Sequence, residues 1–191
     1  MNLIEAFLFG IVQGITEFLP VSSSGHLTLL GRILGTDEAA MLSFTTLLHA
    51  GTLIAVFIVM RREILAILKD LLGLRLRLII LATIPAVLAA FLLGDWLDRL
   101  FGGRFLGYSF LLTGLALASI LLKRKPADEQ REIGYREALI AGVGQAIAIA
   151  PGVSRSGMTL AALLHSDIGR EKAIRFSFLM SIPAILGGFL L

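Results

Sequence analysis

The chain has 191 residues, of which 57% are hydrophobic and only 16% charged, with a formal net charge of +3 and no cysteine. A mean hydropathy of +0.88 excludes a water-soluble globular domain, because so short a chain has too much surface to hide that many apolar side chains. The missing thiols exclude disulfides and thiolate metal sites. The excess of Lys and Arg lies between apolar blocks, so it reads as membrane-protein loop bias and no nucleic-acid partner is expected.

Segment 2–19 is apolar but carries Gln13 and Glu17 and runs into Pro20 and a serine cluster. It does not read as a secretory signal, since no Lys or Arg precedes Arg32 and Glu5 and Glu17 interrupt it. Uncharged runs over 41–60, 78–94 and 105–122 have spanning length at about 1.5 Å rise per residue. Segment 137–150 repeats the first pattern, with Gln145 inside it and Pro151-Gly152 before another serine-rich turn. A further apolar run, 176–191, carries neither polar cap nor basic flank, and the expectation is that more helices follow it.

Proline removes a backbone donor and breaks a helix. Freed backbone groups survive at membrane depth only when buried in protein or lining a wet cavity. Segments 2–19 and 137–150, each running on into its serine-rich turn, are therefore expected to open two helix–turn–helix hairpins that enter the membrane and return.

Pairing each residue with the one 132 positions later reveals a repeat without gaps. Glu5, Ala6, Gly10, Gln13, Ile15, Val21, Ser22, Ser24 and Gly25 match Glu137, Ala138, Gly142, Gln145, Ile147, Val153, Ser154, Ser156 and Gly157, and Phe44 and Leu47 match Phe176 and Leu179. Aligned Glu, Gln and Ser-x-Ser-Gly cannot come from apolar bias, so this is an internal duplication. The expected architecture is an all-α integral membrane protein, one membrane domain over 1–191. Repeat one covers about 2–60, repeat two about 134–191, and spans 78–94 and 105–122 link them. The spans between the copies turn one repeat over relative to the other, an arrangement that builds polar sites near the midplane. Segment 61–77, with Arg61, Arg62, Lys69, Arg75 and Arg77, and segment 123–136, with Lys123, Arg124, Lys125, Arg131 and Arg136, are expected to be cytoplasmic. Segment 32–40, with Arg32, and segment 95–104, where Arg99 and Arg104 are offset by Asp95 and Asp98, are expected outside. The first hairpin then enters from outside and the second from the cytoplasm.

The copies differ where chemistry is expected: Glu17 stands opposite Ile149, His26 opposite Met158, and Ser23 opposite Arg155. Ionisable groups at membrane depth are costly and mark pathways or reaction centres. Each also has a plain structural reading. Glu17 would cap a broken helix, Gln13 one turn earlier would make a polar helix contact, His26 would sit at the interface, and Arg155 would reach lipid headgroups. Ser22, Ser23, Ser24, Ser154 and Ser156 would satisfy turn backbone. His49 and His165 read as structural, with His49 bordering any intramembrane cavity. Ser/Gly turns at helix N-termini offer N–H donors to an anion, and an Arg fork between two of them suits a phosphate or diphosphate. Gly152-Val-Ser-Arg-Ser-Gly157 is not a Walker A loop, because no Gly-Lys-Ser/Thr follows.

Gln13-Gly-Ile-Thr-Glu17-Phe-Leu-Pro20-Val-Ser-Ser-Ser-Gly-His26 and Pro151-Gly-Val-Ser-Arg155-Ser-Gly157 resemble the two signatures of the bacterial undecaprenyl-diphosphate phosphatases, the bacitracin-resistance proteins, over essentially the whole chain. Type 2 phosphatidic acid phosphatases share Ser-Gly-His and Ser-Arg elements, but their second His falls here on Ala161, so that assignment is rejected. The resemblance implies a multi-pass hydrolase of the cytoplasmic membrane with its site toward the outer face. Such an enzyme converts undecaprenyl diphosphate to the monophosphate and recycles the lipid carrier of peptidoglycan and cell-shape synthesis. It confers resistance to bacitracin, which competes by sequestering the substrate.

By position, His26, Ser23 and Glu17 are the expected catalytic residues, with either His26 or Ser23 as nucleophile. Arg155, Ser154, Ser156, Gly157 and Ser22 are the expected diphosphate contacts. No tightly bound cofactor is expected. Glu17, with Gln13, is the candidate holder of Mg²⁺ or Ca²⁺, although an amide where the signature also allows a second acid weakens that site. No signature specifies an oligomeric state. The rival reading is a transporter or flippase for a phosphorylated lipid or anion, since inverted repeats with broken helices build transporters.

Overall fold

The computed structural model describes residues 2–101, 105–123 and 128–189. The described chain is all-helical apart from an isolated bridge between Asp128 and Ile168. The helices are α1 (Leu3–Thr16), α2 (Ser23–Leu34), α3 (Glu38–Val59), α4 (Arg61–Lys69), α5 (Leu74–Phe101), α6 (Leu106–Leu121), α7 (Tyr135–Ile147), α8 (Arg155–His165) and α9 (Arg170–Gly188). Arg104, Arg124, Lys125 and the last two residues of run 176–191 lie outside the described residues, as do the side chains of Asp95, Asp98 and Arg99.

Helix boundaries recur at the offset found in the sequence, for α1 begins at Leu3 and α7 at Tyr135, α2 at Ser23 and α8 at Arg155. Capping chemistry explains part of this. The Asn2 amide N–H donates to the Glu5 carboxylate at 2.9 Å, and the Gly134 N–H donates to Glu137 at 3.1 Å. The aligned acids Glu5 and Glu137 thus close their own helices. Ser22 and Ser154 cap α2 and α8 in the same way, accepting from Gly25 N at 3.3 Å and from Gly157 N at 3.1 Å.

Packing is unequal between the pairs. The α7–α8 pair sits among α5, α6 and α9, whereas α1 and α2 lean on each other and on α3. Ala82, Ala138 and Ala141 are fully buried, and at Gly142 a Cβ would stand 2.5 Å from the Ala82 carbonyl oxygen. Small residues let α5 and α7 approach backbone to backbone. The outer surface is apolar, with Leu3, Ile4, Phe7, Phe91, Leu92 and Leu121 all exposed, while Gln13, Glu17, Gln145 and Ser154 are buried.

Helix α5 contains the one described stretch long and apolar enough by itself to cross a membrane, Leu74–Gly94. In α3 the apolar stretch Ser43–Val59 bends by 74° into α4, so part of basic segment 61–77 is a helix and not a loop. Ile64 and Ile67 of α4 pack against the core. Helices α1 and α6 are shorter apolar helices.

Segments 61–77 and 123–136 come together at one end of the bundle. Glu63, Asp70 and Arg75 share a pocket with Glu132, Lys172 and Arg175. Arg175 pairs with Glu63, and Lys172 reaches Glu132 at 2.6 Å. This charged end marks the C-terminal end of α3 and the N-terminal ends of α5 and α9.

Candidate active site

Pro20 follows the end of α1 and Pro151 follows the end of α7, and each break turns the chain back through serines. In the first turn, Ser22 adopts φ 68°, a left-handed conformation that aims its hydroxyl at the start of α2. In the second, Gly152 takes φ 86° and lies so close to α6 that a Cβ would meet Leu106 at 2.8 Å and Ser109 at 2.9 Å. Thr113 of α6 accepts the Ser154 N–H at 3.0 Å and holds this turn in place.

The two turns meet. The Ser156 hydroxyl donates to the Leu19 carbonyl at 3.2 Å, and Gly25 lies against Gly152. At their junction the Arg155 Nη2 donates to Glu17 Oε1 at 2.6 Å, while Arg155 Nη1 donates to the Ser181 carbonyl at 3.3 Å. The second carboxylate oxygen, Glu17 Oε2, accepts from the Ser23 hydroxyl at 2.5 Å and from Gln13 Nε2 at 3.2 Å. Gln13 Nε2 also reaches Thr52 of α3 at 3.3 Å. Charge-assisted bonds of this kind are short and strong, and Glu17 is only 8% exposed. A serine hydroxyl held on a buried carboxylate with a guanidinium on its other oxygen is a proton acceptor, a nucleophile and an anion holder in one cluster.

A cavity of 630 Å³ opens onto this cluster, lined by Glu17, Ser22, Ser23, Ser154, Arg155 and Ser156 among others. Of the residues expected from sequence, the structure brings together Gln13, Glu17, Ser23 and Arg155. Ser22, Ser154 and Ser156 stand at the cavity wall. His26 does not line it. Its Nδ1 lies 2.7 Å from the Ser22 carbonyl, and its ring packs edge-on against Phe110 at 5.2 Å. Because a carbonyl only accepts, Nδ1 carries the hydrogen and a neutral ring keeps its lone pair on Nε2.

The turn amides also differ from expectation. Gly25, Ser154 and Gly157 already donate to Ser22 Oγ, Thr113 Oγ1 and Ser154 Oγ. Gly157 therefore shapes the turn, with Pro20's carbonyl 3.3 Å from where a Cβ would stand. Arg155 and the hydroxyls of Ser22, Ser23, Ser154 and Ser156 stand at the cavity wall beside these amides.

Two more residues join the site: His49, read from sequence as structural but bordering any intramembrane cavity, and Gln145, read there only as the repeat match of Gln13. His49 of α3 lines the cavity with Nε2 3.7 Å from Glu17 Oε2, its Nδ1 held by the Thr45 carbonyl at 2.8 Å. Gln145 also lines the cavity and is 3% exposed. An imidazole inside an apolar run was the available signal for the first, and its place in the repeat was the signal for the second.

No cluster of three or more His, Cys, Asp or Glu capable of holding a metal occurs among the described residues. Glu17 and the buried, unpartnered Oε1 of Gln13 are two oxygen donors. That number fits an ion which takes most of its ligands from water and substrate phosphates, as Mg²⁺ does, and is too few for an all-protein calcium cage.

The family model of the bacitracin resistance protein BacA matches residues 6–191. The chain belongs to the BacA family. It is 44% identical to the undecaprenyl-diphosphatase of Carboxydothermus hydrogenoformans, over all of this chain and 73% of that protein. It is 43% identical to undecaprenyl-diphosphatase 4 of Bacillus thuringiensis, over all of this chain and 74% of that protein. The undecaprenyl-diphosphatase of Korarchaeum cryptofilum is 41% identical, over all of this chain and 77% of that protein. Within this BacA-family chain, Glu17, Ser23 and Arg155 form the buried polar cluster.

Proposed function

We propose that this BacA-family protein is a membrane phosphatase that hydrolyses undecaprenyl diphosphate to undecaprenyl phosphate. The observation that carries the reading is the double engagement of Glu17, which takes the Ser23 hydroxyl on one oxygen and Arg155 on the other. A diphosphate entering the cavity competes with Glu17 for the Arg155 fork. As Arg155 turns to the anion, Glu17 loses its cation and is left with the Ser23 proton beside it. Ser23 Oγ then forms a bond to the terminal phosphorus, the anhydride P–O bond breaks, the lipid monophosphate leaves, and the proton passes to Glu17. Water completes the cycle by releasing phosphate from the serine. His26, whose Nε2 keeps a lone pair, is the alternative nucleophile. Glu17 and Oε1 of Gln13 would hold a divalent cation such as Mg²⁺ or Ca²⁺ brought with the substrate, where it would neutralise diphosphate charge.

An apolar groove of 560 Å³ shares Thr83, Val87 and Pro183 with the site cavity. It suits the first part of a polyprenyl tail whose remainder lies in lipid. The apolar outer surface and the buried, proline-broken turns support a multi-pass membrane protein with inverted, re-entrant repeats. The cavity is lined by Thr45, Thr46 and His49 early in α3, Ala90 and Phe91 late in α5, and Pro183 and Gly188 late in α9. Those parts of the three helices point away from the charged end at Glu63, Arg75 and Arg175. With that end cytoplasmic by its basic excess, the cavity opens toward the outer face of the cytoplasmic membrane. There the product re-enters peptidoglycan synthesis, and bacitracin bound to the substrate would withhold it from the enzyme.

A flippase or anion transporter has no use for a hydroxyl aimed at a carboxylate, which favours the enzyme. The test is phosphate release from undecaprenyl diphosphate in detergent by wild type, Arg155→Ala and His26→Ala proteins. Release by wild type and its loss in Arg155→Ala is expected; a folded wild type that releases none sinks the reading.

A further inference from the structure

Gln145 is a polar residue of the cavity that the mechanism leaves unused. It is 3% exposed, it lines the cavity, and neither its Nε2 nor its Oε1 has a hydrogen-bond partner among the described residues. Buried amides are almost always paired, and an unpaired one asks for a reason.

The repeat supplies the reason. Gln13, the counterpart of Gln145, donates to Glu17 and to Thr52. At the same offset those two partners become Ile149 and Ala184, and both line the cavity. The second copy thus keeps the amide at the cavity wall and loses both of the side chains that would satisfy it.

We propose that Gln145 is a substrate-contacting residue that donates its Nε2–H to a phosphate oxygen of the bound diphosphate. This deepens the phosphatase reading and rests on it. Phosphate oxygens are acceptors, so the amide nitrogen is the end that meets them, while Oε1 accepts from water hydrating the anion. The amide adds a neutral donor to the charged fork of Arg155, so the anion is gripped by side chains from α7 and α8 together. An apolar tail would not complete this group, and a cation would find no acid at Ile149.

The experiment uses the full chain, purified in detergent, as wild type, Gln145→Met and Gln145→Glu. Met keeps length and removes the hydrogen bonds; Glu opposes the anion with charge. KM and kcat are measured on undecaprenyl diphosphate, and thermal midpoints with and without inorganic pyrophosphate. Gln145→Met should raise KM roughly tenfold, the effect of losing one hydrogen bond to a charged group. It should also lose most of the pyrophosphate-induced shift and keep or raise the unliganded midpoint, since no bond within the protein is lost. Gln145→Glu should raise KM further. An unchanged KM in Gln145→Met overturns the proposal, and so does a fall in its unliganded midpoint, which would mark a structural residue. If wild type fails to hydrolyse the lipid yet shows a pyrophosphate shift that Gln145→Met lacks, the phosphatase reading falls and the anion contact stands. If wild type shows neither, both fall.

Discussion

The carboxylate of Glu17 and the guanidinium of Arg155, 138 residues apart in the chain, meet at 2.6 Å where the two turns join. Glu17 is buried and Arg155 is mostly so, with side chains 6% and 23% exposed. Removing one partner of such a pair strands the other charge, whereas removing both relieves the problem. Glu17→Gln alone is expected to lower stability by about 3 kcal/mol, at the low end for buried pairs because Arg155 keeps some solvent. Adding Arg155→Met should restore much of that loss. A double-mutant cycle on the thermal midpoint measures the coupling, and strictly additive effects would show that the pair does not hold the turns together. Both single variants should lose phosphatase activity regardless, since one removes the proton acceptor and the other the anion holder.

Ser23 and His26 separate by geometry. The Ser23 hydroxyl sits on Glu17 at 2.5 Å and faces the cavity, whereas the His26 ring is turned onto Phe110. Ser23→Ala should therefore lower kcat by about 10³-fold or more, the scale of losing a nucleophile. His26→Ala should lose less, because the ring is turned onto Phe110 and away from the cavity. Rapid quench with substrate labelled in the terminal phosphate should trap the label on Ser23. Label on His26 would reverse the assignment.

Much of this cluster was legible in the sequence because the duplication exposes its own exceptions. Glu17 opposite Ile149 and Ser23 opposite Arg155 stand out once the copies are aligned, and these three polar residues meet. What stayed hidden depends on packing between elements. His49 reaches Glu17 only because α3 lies beside α1, and no spacing within α3 predicts that. Gln145 matched Gln13 in sequence, yet its lack of partners depends on what Ile149 and Ala184 fail to provide in space. Glu5 and Glu137 carried weight as a matched pair, and the structure gives them capping work instead. Helix α4 was hidden inside a basic segment because its apolar contacts, Ile64 and Ile67, are few. Three turn amides looked available because the hydroxyls that take them, of Ser22, Ser154 and Thr113, cannot be seen to do so in one dimension.

His49 gives a prediction about positioning. With Nδ1 held by the Thr45 carbonyl, Nε2 faces Glu17 Oε2 at 3.7 Å. A leucine there would remove one of the polar neighbours of Glu17 Oε2, leaving Ser23 and Gln13, and Glu17 would shift relative to Ser23. His49→Leu should cost about tenfold in kcat, in line with a loosened catalytic group, while His49→Gln, which keeps a polar side chain within reach, should cost less. Equal rates for His49→Leu and wild type would return this histidine to a purely structural role.

The two copies also make opposite demands on one matched glycine. At Gly142 an added Cβ would stand 2.5 Å from the Ala82 carbonyl oxygen and 3.0 Å from its Cα, so α5 and α7 would have to separate. At Gly10, its counterpart in α1, a Cβ meets nothing within 4 Å. Gly142→Ala should therefore destabilise the bundle by about 1–3 kcal/mol through overpacking that backbone cannot relieve. Gly10→Ala should stabilise α1 by up to about 1 kcal/mol, because alanine loses less conformational freedom in a helix. Thermal unfolding of both variants in the same detergent gives the comparison. A Gly142→Ala midpoint at or above wild type would mean that the α5–α7 contact is looser than the backbone approach at Ala82 implies. Activity adds a second readout, since α7 carries Gln145 into the cavity. Gly142→Ala should raise KM as well as lower the midpoint, while Gly10→Ala should leave KM within about twofold, as expected for a site whose open space asks nothing of its neighbours.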